Sequence, residues 1–324
     1  MTETSLNTSI HSKISGDMIP SRLLSRLFFV MAVLTFFLMA LGSATRVMNA
    51  GLSCPDWPLC YGSLIPKQQM NVQVFLEWFH RLIASSLGLF MILLTGLTWW
   101  WRSQLPRWVP VATTFCLGLI VFQGILGGLT VTQLLRFDIV TAHLATGLLF
   151  FSSMLVLGSS LMPYQGTGVM GRLPWLSSAA SGLVYFQCIL GGLVASQWAV
   201  HQCLAGSQLC RVMYNHFVGV IPPTVAVFTL VVLAWRTPAL HPRLRFLGQL
   251  AMGLLALQVL IGISTLRLHL QVVGLTIAHQ AIGASLLGTL VVFSVIAIRD
   301  KHQAEYVQPI QTAPVTMTSS LEPS

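Results

Sequence analysis

Apolar residues in this chain gather into eight long runs, near 26–45, 75–101, 108–132, 139–161, 174–198, 212–235, 245–266 and 271–298. Crossing about 30 Å of hydrocarbon takes about 20 helical residues, so each run is long enough to span a membrane. Breakers such as Pro106, Pro163, Pro174, Pro238 and Pro242 separate the runs. Pro222-Pro223 falls inside the sixth and predicts a kink there. The pattern predicts an all-α, polytopic membrane protein. Four segments follow: a cytoplasmic tail over 1–25, helical halves over 26–161 and 174–298, and a disordered cytoplasmic tail over 299–324 that is rich in Thr, Ser, Gln and Pro.

Composition supports this reading. Of 324 residues, 55% are hydrophobic and only 8% charged, against about 25% charged in a soluble domain. The net charge of +9 is therefore not a nucleic-acid signal and is read through the loops. With the N-terminus inside, inner segments hold 11 Lys and Arg residues and outer segments 6. The positive-inside rule then puts both termini in the cytoplasm. Residues 1–20 carry one Lys and no Arg, resembling neither a cleavable signal nor a transit peptide. An uncleaved first helix favours a bacterial inner membrane.

A repeat organises the runs. His80 and His143 are 63 residues apart, as are His216 and His279, and one offset of 136 relates the two pairs. Ala142–Gly147 matches Ala278–Gly283 at four of six positions, and Gln123 and Gly127 recur as Gln258 and Gly262. Runs 1–4 are thus repeated as runs 5–8: two tandem, pseudo-symmetric four-helix bundles. An even number of helices gives both halves one orientation. Small residues around Gly124–Gly128 and Gly191-Gly192 are expected to let helices approach closely.

The four histidines open the even-numbered runs, two per half at similar depth. Paired neutral imidazoles in a bundle, without a carboxylate or cysteine cluster, suit bis-axial ligation of haem iron. Zinc would want four ligands. The competing reading of one buried histidine, a satisfied core residue, does not account for four at a repeated spacing.

The halves differ in their chemistry. Glu77 is the only acid inside an apolar run, sharing a helix face with His80, and Arg81 lies one turn on. Their counterparts at the offset of 136 are Met213 and Phe217. Ionisable groups at membrane depth tend to line functional cavities; the plainer alternative is a helix start in the headgroups. An acid and an Arg beside His80 suit chemistry, and the apolar setting of His216 suits a held, electron-carrying haem.

Four cysteines form two outer-loop pairs, Cys54–Cys60 and Cys203–Cys210, which read as disulfides on the oxidising side. Cys116 and Cys188 lie within apolar runs. Aligning Leu41-Gly42 with Leu190-Gly191 gives an offset of 149, so the first outer loop is 13 residues longer than its counterpart. With its Pro residues and Trp57 it could cap the N-terminal site or form an inert interfacial plug.

Gly51–Cys60, Glu77–Leu82, the Ala-His pairs at 143 and 279, Asn215-His216 and the duplicated halves together resemble the haem A synthase family over roughly residues 22–298. The resemblance implies oxidation of a methyl group of haem O to the formyl group of haem A. It implies His80 and His143 as ligands of the substrate haem O, and His216 and His279 as ligands of a haem b cofactor. Glu77 would then be the catalytic acid, and Arg81 a propionate or substrate contact. Implied partners are haem O synthase, cytochrome oxidase assembly factors and a membrane electron donor, with a homo-oligomer left open. Two other classes compete: a di-haem, quinol-linked electron-transfer cytochrome, and a haem carrier that modifies nothing.

Overall fold

The computed structural model describes residues 3–168, 171–195, 208–268 and 272–311. Among them there is no strand, only an isolated bridge between Cys60 and Ser63. The helices are α1 (Glu3–Val47), α2 (Val72–Trp100), α3 (Trp108–Thr132), α4 (Phe137–Leu161), α5 (Leu173–Val194), α6 (Gln208–Gly219), α7 (Ile221–Arg236), α8 (Pro242–Arg267) and α9 (Val273–Gln311). They supply eight spans long and apolar enough to cross a membrane, α6 and α7 sharing one of them. That shared span breaks at Val220, just before Pro222-Pro223, because proline lacks an N–H and is tolerated only in the first turn of the new helix.

Each half is a closed ring. In the first, α1 packs on α2, α2 on α3, α3 on α4, and α4 back on α1; in the second, α5, α7, α8 and α9 do the same. The halves meet where α4 packs on α9, α1 on α9 and α4 on α5. Exchanging α1 with α5 and α4 with α9 maps these contacts onto themselves, as a two-fold axis between α4 and α9 requires. Accordingly α9 is the central helix: 61% of its apolar window is buried, against at most 33% in any other span. Close approach at the junction rests on small residues. A Cβ on Gly288 of α9 would meet Phe151 and Leu155 of α4 at 3.0 Å. Outward faces keep bare apolar side chains such as Leu89, Phe115, Trp175 and Phe246, as lipid contact demands.

Both expected tail boundaries fall inside helices. α1 is already helical from Glu3, well before the apolar span that starts at Ile19. At the other end, α9 continues to Gln311, so the disordered tail does not begin at residue 299. The first turn past residue 298 is held by Asp300, fully buried against the linker between the halves. Its carboxylate accepts from Tyr164 Oη at 2.9 Å, the Gly168 N–H at 2.7 Å and Thr167 Oγ1 at 3.3 Å. Gly166 N–H donates to Gln303 Oε1 at 2.6 Å, and Arg299 donates to the Ser159 carbonyl at 2.5 Å. Burial and the neighbouring Asp300 push the Tyr164 phenol above its ordinary pKa, which keeps it the donor. No apolar periodicity marks this latch, and sequence reading passed over it.

Asp300→Ala should leave the linker's donors without an acceptor in a buried site. Such loss costs about 1–3 kcal/mol, so detergent-solubilised protein should melt at lower temperature by tryptophan fluorescence. An unchanged melting curve would show that the latch contributes nothing.

Candidate functional site

All four repeated histidines lie at one end of the molecule, and each is half-buried. His80 stands on α2 and His143 on α4, opposite members of the first ring; His216 stands on α6, the first part of the span that continues as α7, opposite α9, which carries His279. Each ring presses its Cε1 edge against a glycine on the preceding odd-numbered span. A Cβ on Gly42 would lie 2.9 Å from His80, on Gly127 3.4 Å from His143, on Gly191 3.1 Å from His216 and on Gly262 2.8 Å from His279. Any side chain at three of these positions would push the imidazole away or tilt it. Of the glycines of α3 and α5 expected to let helices approach closely, Gly127, Gly128 and Gly191 admit rings, whereas Gly192 admits Leu144 of α4.

A second repeated residue stands one turn before three of the glycines. Gln123 Nε2 donates to the His143 carbonyl at 2.8 Å. Gln187 Nε2 donates to the His216 carbonyl at 2.8 Å and lies 3.0 Å from His216 Nδ1. Gln258 Nε2 is 3.3 Å from His279 Nε2. Leu38 holds the equivalent place before Gly42. Gln187 was missed in the sequence, although a Gln four residues before a Gly recurs three times and was the available signal.

Glu77 and Arg81 are spent differently from expectation. Glu77 is 4% exposed. Its Oε2 accepts from the Cys54 N–H at 2.8 Å and its Oε1 from Arg81 at 2.5 Å. Arg81 also donates to the carbonyls of Asp56 and Leu59, both at 2.6 Å, and of Cys54 at 3.1 Å. Its four terminal N–H groups are therefore matched by the 54–60 loop and by Glu77. These bonds occupy the terminal donors of Arg81, which weighs against the expected propionate contact there.

The loop so held lies over the mouth of the first ring. Cys54 and Cys60 are joined and buried, with Cα atoms 4.7 Å apart, against Val74 and Trp78 of α2. Trp57 packs on α3, where a Cβ on Gly128 would come within 3.1 Å of the indole. Trp78 Nε1 donates to the Leu64 carbonyl at 2.7 Å. Asp56 accepts from the N–H groups of Gly62 and Tyr61, which hold its carboxyl below the usual carboxylate range. This arrangement favours the cap over the inert plug. The expected Cys203–Cys210 pairing lies outside the described side chains.

The donor set suits a tetrapyrrole better than a bare ion. Among the described residues no group of three or more His, Cys, Asp or Glu could hold a metal. Two imidazoles per half are what a planar ring carrying its own four nitrogens requires. Nδ1 of His80, His143 and His279 is buried without a hydrogen-bond partner. The carbonyls of Leu38, Gln123 and Gln258 face these three rings, the kind of second contact that orients a ligating histidine.

A sequence profile of the family described as "Cytochrome oxidase assembly protein" matches residues 25–291. The chain belongs to this family. It is 30% identical to the haem A synthase of Shewanella oneidensis over 310 aligned positions, covering 80% of this chain and 92% of that protein. It is 27% identical to the haem A synthase of Caulobacter vibrioides, covering 82% and 93%. A protoheme IX farnesyltransferase of Halobacterium salinarum is 30% identical over 140 positions, 43% of this chain and 30% of that protein.

Arg81→Gln removes most of the loop's anchor and leaves Glu77 with a weaker partner. Breaking a buried pair in this way costs about 3–5 kcal/mol, much of it locally. The Cys54–Cys60 disulfide should then be reduced several-fold faster by a mild phosphine, read as thiol alkylation over time. Equal rates in variant and parent would mean that Arg81 does not hold the cap.

Proposed function

We propose that this protein is a haem A synthase of the bacterial cell membrane, with both termini cytoplasmic, and that it oxidises a methyl group of haem O to a formyl group. The observation that carries the reading is the fourfold seating of a histidine ring on a glycine in two like bundles, the first of them capped by the 54–60 loop. Family membership supports it, as do the names of the two relatives that cover most of the chain. The farnesyltransferase similarity supports a partnership with the enzyme that makes haem O.

In this reading His80 and His143 hold the substrate haem O beneath the capping loop. His216 and His279 hold haem b, which when bound would supply one-electron transfer. Converting a methyl to a formyl group, counted with water as the oxygen source, releases four electrons and four protons. The substrate half therefore needs an electron outlet and a proton outlet, and a membrane electron carrier would serve the first. Glu77 is the proposed proton-handling group, the one carboxylate on the helix that carries His80. Its bonds to Arg81 and to Cys54 tie that carboxylate to the cap, so closing the loop and placing the acid are one event. Enclosure under the cap would keep the partly oxidised intermediates from leaving the site.

The test is co-expression with a haem O-producing enzyme, followed by extraction and identification of the haems. Formylated haem supports the proposal, whereas unmodified haem alone would favour a di-haem cytochrome or a carrier. His216→Ala and His279→Ala should each abolish a low-spin haem b spectrum while the protein still inserts. Glu77→Gln should retain both haems yet lose most haem A formation, since general acid–base help typically contributes about 10²–10⁴-fold. Haem A production near the parental rate would leave Glu77 only its anchoring role.

A further inference from the structure

Arg46 ends α1 at the histidine end and reaches across the junction, donating to Gln280 Oε1 of α9 at 3.2 Å. Its Nε is buried and has no hydrogen-bond partner. Among the described residues the salt bridges are Glu77–Arg81 and Arg136–Asp138, and neither involves Arg46. A part-buried guanidinium with a neutral partner and an orphaned donor is costly unless an anion completes it. Arg46 also stands four residues beyond Gly42, hence on the same helix face and about 6 Å nearer the aqueous end than the glycine under His80. At the offset of 149 that pairs Gly42 with Gly191, Arg46 pairs with Ala195. The cation is therefore a property of the N-terminal half alone.

Resting on the proposed haem A synthase reading, we propose that Arg46 binds a propionate carboxylate of the substrate haem. The two propionates are the only charged groups on the porphyrin edge. A ring held between His80 and His143 near the aqueous end would turn that edge toward the last turn of α1. Gln280 then holds the guanidinium in place from the neighbouring half. Arg81, the other cation near His80, has spent its terminal donors on the loop.

The experiment uses the full-length chain in lipid nanodiscs. Haem O and its dimethyl ester, whose propionates carry no charge, are each titrated into the parent and Arg46→Gln and followed in the Soret band. The same titrations in a His216→Ala/His279→Ala background isolate the N-terminal half. Arg46→Gln should weaken haem O binding roughly tenfold or more, as loss of a charge-assisted hydrogen bond does. The ester should bind parent and variant alike, and Arg46→Lys should recover part of the loss. Equal affinity of parent and variant for haem O overturns the proposal. So does equal weakening with the ester, which would assign Arg46 to a lipid phosphate or to the fold. A loss confined to the C-terminal half overturns it as well. If the parent itself takes up no haem O, the functional reading fails with it.

Discussion

Everything at the histidine end depends on the contact between an imidazole and a glycine on the facing helix. A Cβ at Gly42, Gly191 or Gly262 would come within 3.1 Å of its histidine ring or closer. The ring is therefore seated against backbone, and its direction is set by two packed helices instead of by its own rotamer preferences. Interiors are close-packed and transmit such constraints over several residues. The four-helix rings, the small residues and the shared depth of the histidines all follow from keeping that contact four times over.

On this common frame the halves diverge through a few substitutions. Glu77, Arg81 and Arg46 stand where Met213, Phe217 and Ala195 stand in the second half. Two of the three charges are used up in holding a loop that the second half has in shorter form. Of the three charged groups, costly at this depth, Glu77 and Arg81 are bonded to each other and to the loop, whereas the Nε of Arg46 remains open. The chemistry of the first half is built from additions to a scaffold that the second half keeps plain.

Most of the architecture was legible because membrane spans need long apolar runs and because the His-x62-His spacing repeats. Apart from the early start of α1 and the late end of α9, the observed helices begin and end within a few residues of the expected runs, and α3 coincides with its run. The rest was hidden for physical reasons. Asp300 lies in a stretch whose polarity reads as tail, yet it is buried because three donors from a distant linker converge on it. Arg81 invited a ligand role, since nothing local reveals that carbonyls 22 to 27 residues earlier would claim its donors. Glycines at a helix face do not announce whether a backbone or a ring will fill the space.

The way the capping loop is fastened has an evolutionary corollary. Arg81 reads only main-chain carbonyls, and Glu77 reads a main-chain N–H. Neither asks what side chain the loop carries at Pro55, Pro58 or Leu59. The loop's exposed surface is accordingly free to drift, and to acquire contacts with other proteins, while its path over the first ring stays unchanged. Only a change that alters the backbone course between Cys54 and Cys60 would be felt at the anchor.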